Sequence, residues 1–438
     1  MINKTRLFKF AAALGLLSAL LVVPAQGWAQ AISAGASAAA AANGAPIGQQ
    51  FVISGDPEQE VYPSVAYNSQ RQEYLVVWSN DRAGNDDIRA QRVSKDGALI
   101  GGSFYISAGP GADRRYPDVA YNTQQDQYLV VWEHYDNASL VPGYGISGRR
   151  VSGTGAVLNA TDIIIRSNGG NLATPATPAV AYASTSDKYL VVWAETWHPT
   201  PITWDIYGQV VSSSGALDGS QFSISQGNEE REQPDVAYNR HANRYLVVWQ
   251  QKAGTLWDVH GQQVHGGGGL YQGDITIAYY TKSSMAPAVA AIPTSPTNDK
   301  FLVVWEVQYA PSDRDIYGRL VAEDGTPGTD FWISWANGVD ESSPAVASSE
   351  SNLQYFVVWR HPQGVVDKPI KGRAISYAGA LLGQEAEFSA PAANRPAVAS
   401  GPTGDFMAAW QDQPVLATNT NIYGQLWGNR VYLPLVIR

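Results

Sequence analysis

The chain has 438 residues, 45% of them hydrophobic and 16% charged, so it can bury a sizeable core and is no disordered tail. It contains no cysteine, which removes disulfides, thiolate metal sites and cysteine nucleophiles together. A formal net charge of -10 argues against a bulk electrostatic grip on nucleic acid or on an anionic membrane.

The first segment reads as an export signal, 1–31. Lys4, Arg6 and Lys9 form a basic start, Phe10 to Val23 an apolar run, and Pro24 ends it. Small residues then permit cleavage after Ala29 or after Ala31. A retained membrane anchor is the alternative, but the run is shorter than the ~20 residues a span needs. No other stretch suits a bilayer, so no membrane span is expected after cleavage. Residues 32–50 are uncharged and rich in Ala, Ser and Gly, which reads as a flexible spacer. An exported chain without cysteine suggests a bacterial product, secreted or held at the cell surface (periplasmic if the cell has an outer membrane).

The 14 Trp, 23 Tyr, 42 Gly and 25 Pro that colour the whole chain suit many short strands and turns. Repeats give them order. A Tyr-Leu-Val-Val-Trp phrase, exact or degenerate, ends at Trp78, Trp132, Trp193, Trp249, Trp305, Trp359 and Trp410. Each copy follows a Pro-x-Val-Ala element, the first being Pro63 to Ala66 and the last Pro396 to Ala399. Downstream comes an Asp-Ile-Tyr-Gly-like element, best preserved at Asp205 to Gly208 and Asp315 to Gly318. A turn such as Asp96-Gly97 or Asp324-Gly325 follows, then a Phe-x-Ile-Ser strand such as Phe104 to Ser107.

Each unit therefore holds four short strands. The second is apolar on both faces, since Tyr74, Val76 and Trp78 alternate with Leu75 and Val77. A strand greasy on both sides must lie between two layers. Seven small antiparallel sheets stacked radially supply those layers. The expected fold is an all-β, seven-bladed β-propeller over 51–427, with four-stranded antiparallel blades. The repeated alanine is expected at the crowded axis, and the proline at the start of the innermost strand.

The last unit has only three strands of its own, whereas Phe51 to Ser54 precedes the first. Residues 51–54 should therefore complete the last blade and close the ring. A string of separate modules is the alternative, but units this small bury too little surface to stand alone. The tail 428–438 contains Tyr432-Leu-Pro-Leu435, either a sorting tail or an extra edge strand.

The run Arg82-Ala-Gly-Asn-Asp-Asp-Ile88, with Asp96-Gly97 and Ile106-Ser107 after it, resembles the TolB-type propeller blade. The chain also resembles a group of secreted bacterial repeat proteins that carry the Tyr-Leu-Val-Val-Trp phrase. The likeness covers roughly 51–427. No Trp-Ser-Pro-Asp-Gly phrase follows the prolines, so it concerns architecture and transfers neither partner nor active site.

Chemistry is sparse. The six histidines form no zinc signature, and no nucleophile elbow, phosphate loop or sialidase Asp-box is present. The acidic stretch Asn80 to Asp87 lacks calcium-loop spacing. No metal or other cofactor is implied, and a monomer is expected. Propellers commonly bind where the second-to-third and fourth-to-first loops emerge. There the sequence offers Glu133, His134, Glu195, Trp197, Glu306 and Arg360 just past the repeat tryptophans. Asp118 and Asp235 occupy the x of Pro-x-Val-Ala and should sit at the channel mouth. Two readings follow. One is a noncatalytic binding or scaffold module for a glycan or protein, with no catalytic residue. The alternative is a glycoside hydrolase or lyase using carboxylates such as Asp118 and Glu133.

Overall fold

The computed structural model describes residues 44–428 except 83, 137–142, 169–172, 198–202, 293–298, 363–368, 389–391 and 414–418. The export signal, most of the spacer and residues 429–438 lie outside the described residues. Among the described residues there is no helix, hence none long and apolar enough to cross a membrane.

Seven four-stranded antiparallel sheets make up the fold. Blades 1 to 6 span 59–107, 112–167, 174–225, 231–278, 284–334 and 342–388, each with its strands in chain order from the axis outward. Blade 7 takes three strands from 394–428 and its outermost strand from the other end of the chain. That closing strand is Ala45–Ser54, antiparallel to Asn421–Gly428. It begins within the stretch that composition marks as spacer. Small uncharged residues describe a flexible linker and an outer strand equally well, so composition misses this boundary.

The two-sided strand sits where its chemistry demands. All seven repeat tryptophans are fully buried. Seven apolar clusters lie one to each seam between blades. Leu75 and Val77 of blade 1 meet Tyr128, Val130 and Trp132 of blade 2. The same arrangement recurs round the ring until Met407 and Ala409 of blade 7 meet Tyr74, Val76 and Trp78 of blade 1. The wheel is closed by hydrophobic contact as well as by strand pairing.

The repeated alanines lie on the innermost strands, and the expected place of the prolines changes. Ala66 shares a cluster with Val119 of the next blade, and Ala120 with Val180, where innermost strands converge. The prolines lie inside the innermost strands, at a bulge. Seven residues just before them adopt positive φ: Tyr62, Tyr116, Thr177, Gln233, Ala286, Ser343 and Arg395. Such a backbone costs roughly 1–3 kcal/mol at each site, so the surroundings must impose it.

The glycine of the hairpin turn has two constraints. Gly97 has φ of 86°, and a Cβ there would also lie 3.0 Å from the Phe51 ring of the closing strand. The outer-strand Phe of one blade thus packs over the turn of the next.

Candidate functional site

Every X-Pro bulge opens at the same end of the ring. A bulge frees an N–H from its own ladder, and a buried N–H needs a partner. At four of the bulges the residue right after the repeat tryptophan in the preceding blade supplies one. Thr177 N donates to Glu133 Oε2 at 3.1 Å, and Ser343 N to Glu306 Oε2 at 3.0 Å. Ala286 N donates to Gln250 Oε1 at 3.0 Å, and Tyr62 N to Gln411 Oε1 at 2.9 Å. Glu133 and Glu306 therefore brace one blade to the next, a task that Gln performs in two other blades.

The position one residue further has another duty. The indole N–H of Trp193 donates to Glu195 Oε2 at 2.8 Å, and that of Trp249 to Gln251 Oε1 at 3.3 Å. In blade 6 the donor is Trp359 and the acceptor is Glu341 Oε1, at 3.1 Å. Glu195 is fully buried and also carries a two-pronged pair with Arg166, at 2.5 and 2.9 Å. It does not face the solvent. His134 is half-buried, its Nδ1 3.0 Å from Ser147 Oγ, and burial holds its pKa below the usual value. Trp197 ends the strand Lys188–Trp197, paired with Thr203; its side chain lies outside the described residues.

Asp118 and Asp235 do line the channel, in a cavity of about 360 Å³ ringed by the seven prolines. Each is tied to the next blade. Asp118 Oδ2 accepts from Val180 N and Oδ1 from Ser64 Oγ, both at 2.8 Å. Asp235 Oδ2 accepts from Val289 N at 2.7 Å and Oδ1 from its neighbour Val236 N at 2.8 Å. Burial raises both carboxyl pKa values, that of Asp235 to about 7, with the charge of Asp118 adding to it.

Glu306 and Arg360 meet in a wider cavity above, of about 620 Å³, at the channel mouth. Arg314 bridges Glu306 at 2.7 Å and Asp340 at 3.0 Å. Arg360 lies 3.2 Å from Ser342 Oγ and 3.8 Å from Asp340. Beside them the Tyr62 and Tyr116 rings stand 4.2 Å apart, with the Arg395 guanidinium 4.4 Å over Tyr62. Sequence reasoning misses Tyr62, Tyr116 and Arg395. Their one signal was the shared place before a repeat proline, which marks the mouth only once the bulge is known.

Burial also lifts Glu133 and Glu60 to about 7. These acids, with Asp235, hold their protons more tightly folded than unfolded. Their contribution is full below about pH 4 and is lost as pH rises through about 7. The melting temperature should therefore fall between pH 5 and 8. Glu133→Gln and Asp235→Asn should each make that fall smaller. A melting temperature that climbs across the interval, or an unchanged slope in both variants, would contradict this account.

No family model matches the chain, and no curated protein sequence matches it. Its fold is similar to that of a solved Dyadobacter fermentans protein of unknown function. That structure is 10% identical, covers 89% of this chain and 100% of its own, and has a TM-score of 0.54. A Hadza microbial sialidase aligns at 9% identity over 77% of this chain and 68% of its own, with a TM-score of 0.47. A Fusarium graminearum α-L-arabinofuranosidase in complex with arabinobiose aligns at 12% identity over 88% and 97%, with a TM-score of 0.44. At such identities, likeness to solved structures speaks for the fold alone.

Proposed function

We propose that the protein is an exported, noncatalytic propeller that binds a glycan at the mouth of its channel. The carrying observation is the mouth itself: a cavity of about 620 Å³ lined by arginines, carboxylates and amides. A tilted tyrosine pair with an arginine over one ring stands beside it. Such a surface suits a polyhydroxylated ligand, which needs many donors and acceptors at fixed positions. A protein partner is the other class this loop face could take. Export rests on the basic start and apolar run of residues 1–23.

The noncatalytic reading is supported by what the carboxylates already do. Glu133, Glu306, Asp118 and Asp235 each accept a backbone N–H of the next blade. One observation favours the second reading, a glycoside hydrolase or lyase. Glu133 and Asp235, both near 7, suit proton donation at neutral pH.

A glycan array and a panel of chromogenic glycosides separate the two. Binding without turnover is expected, weakened about tenfold by Arg395→Ala. Turnover that Glu133→Gln abolishes, in a protein that still folds, would end the noncatalytic reading. The exported protein should begin at Gln30 or Ile32 by terminal sequencing.

A further inference from the structure

Blades 4 and 5 break the sevenfold pattern in one place. After the outer strand, blade 1 continues with Ala108 and blade 3 with Gln226. Blade 4 instead places Tyr279 after Leu270–Ala278, and blade 5 places Trp335 after Pro327–Ser334. The variable position of Phe-x-Ile-Ser is also a tryptophan in blade 5, Trp332.

Trp332 is anchored through Tyr317. The Tyr317 ring stacks on the fully buried Trp305, with centroids 6.2 Å apart. Its hydroxyl accepts from Trp332 Nε1 and lies 2.5 Å from the Tyr309 hydroxyl. Tyr280 packs 6.1 Å from Tyr317 and donates to Asp330, which Arg319 pairs at 3.1 Å. Trp332 and Trp335 meet edge to face at 5.4 Å. Large aromatic area still faces solvent: Tyr279 is 74% exposed, Trp335 65% and Trp332 50%. A cavity of about 600 Å³ opens here, lined by Leu256, Tyr279, Tyr280, Lys282, Tyr309 and Tyr317. Lys282 Nζ stands 4.1 Å over the Tyr309 ring.

We propose that this aromatic pocket between blades 4 and 5 binds a pyranose-containing oligosaccharide, independently of the channel mouth. The ligand class follows from the mixture. Flat aromatic rings suit the C–H face of a sugar ring, and their quadrupoles favour its partly positive hydrogens. Phenol hydroxyls and the Lys282 ammonium border the same cavity and suit the sugar's hydroxyl edge. The volume lies within the roughly 300–1,000 Å³ of small-molecule sites. Fixing Trp332 and Tyr309 through one phenol orders the rings before the ligand arrives, which lowers the entropic cost of binding.

Affinity electrophoresis of the full protein tests this, using gels that contain xylan, linear arabinan, laminarin, hydroxyethylcellulose or polygalacturonate. At least one polymer should retard it. Tyr279→Ala and Tyr309→Ala should each weaken that binding about tenfold. Exposed Tyr279 should cost no more than ~2 °C of melting temperature on replacement. Tyr317→Phe keeps the stack but frees Trp332 and Tyr309, so it should weaken binding severalfold. Retardation by none of the five, or retardation that Tyr279→Ala leaves unchanged, overturns the proposal. Retardation lost in Arg395→Ala alone would also overturn it, while leaving the channel-mouth reading in place. Loss in the aromatic variants alone would do the reverse.

Discussion

Deletion of residues 45–54 should lower the melting temperature by more than ~10 °C, read by calorimetry or circular dichroism. Three effects add. Ile47 and Ile53 leave the cluster that joins blades 7 and 1, at about 1.5–3 kcal/mol each. The strand Asn421–Gly428 loses its ladder partner and becomes a bare edge. Polar ties go as well: Gln425 Nε2 donates to Gly48 O at 3.0 Å within blade 7, and Ser54 Oγ to Glu60 Oε1 of blade 1 at 2.5 Å. If the deletion does not fold, Ile53→Ala reports the same contact at about 2–4 kcal/mol. A deletion melting within ~2 °C of the parent would show that the ring closes without this strand.

Glu195→Ala should destabilise the protein by about 1.5–3 kcal/mol, because it removes a fully buried carboxylate that accepts charged hydrogen bonds from half-buried Arg166. Arg166 keeps its charge with no carboxylate beside it, and the Trp193 indole loses its acceptor. Glu195→Gln should recover the indole bond, as Gln251 makes it in blade 4, yet leave Arg166 uncompensated. A double-mutant cycle with Arg166→Thr then isolates the ion pair as a coupling energy. A residue exposed for ligand binding would leave the melting temperature almost unmoved on substitution. That outcome would return Glu195 to the functional candidates.

The two glutamates that follow repeat tryptophans show how far the sequence could be trusted at the site. Glu133 and Glu306 stand beside Trp132 and Trp305 in a polar break after an apolar run, which is how a binding loop looks in one dimension. Their actual partners are backbone N–H groups 44 and 37 residues downstream. Gln250 and Gln411 at the matching positions were the available hint. An acceptor that Gln can replace is doing a structural job. Glu195 was harder to read, because Arg166 comes from an outer strand with no matching arginine in most blades.

The repeat alone determined that there are seven blades, which strand lies between layers, and that the chain ends must meet. Those properties follow from local patterning: a strand apolar on both faces must have sheet on both sides, and a unit short of one strand must borrow it. Tertiary structure alone decided which polar groups remain free for a ligand. At four of the left-handed bulges before the prolines an N–H turns to the neighbouring blade, and in two of them that donor claims a glutamate the sequence leaves unassigned. It likewise gathered Tyr279, Tyr309, Tyr317, Trp332 and Trp335 from two blades into one cluster. Hydrogen-bond demand and ring contact depend on distances between segments that are far apart along the chain, and only the closed wheel sets those distances.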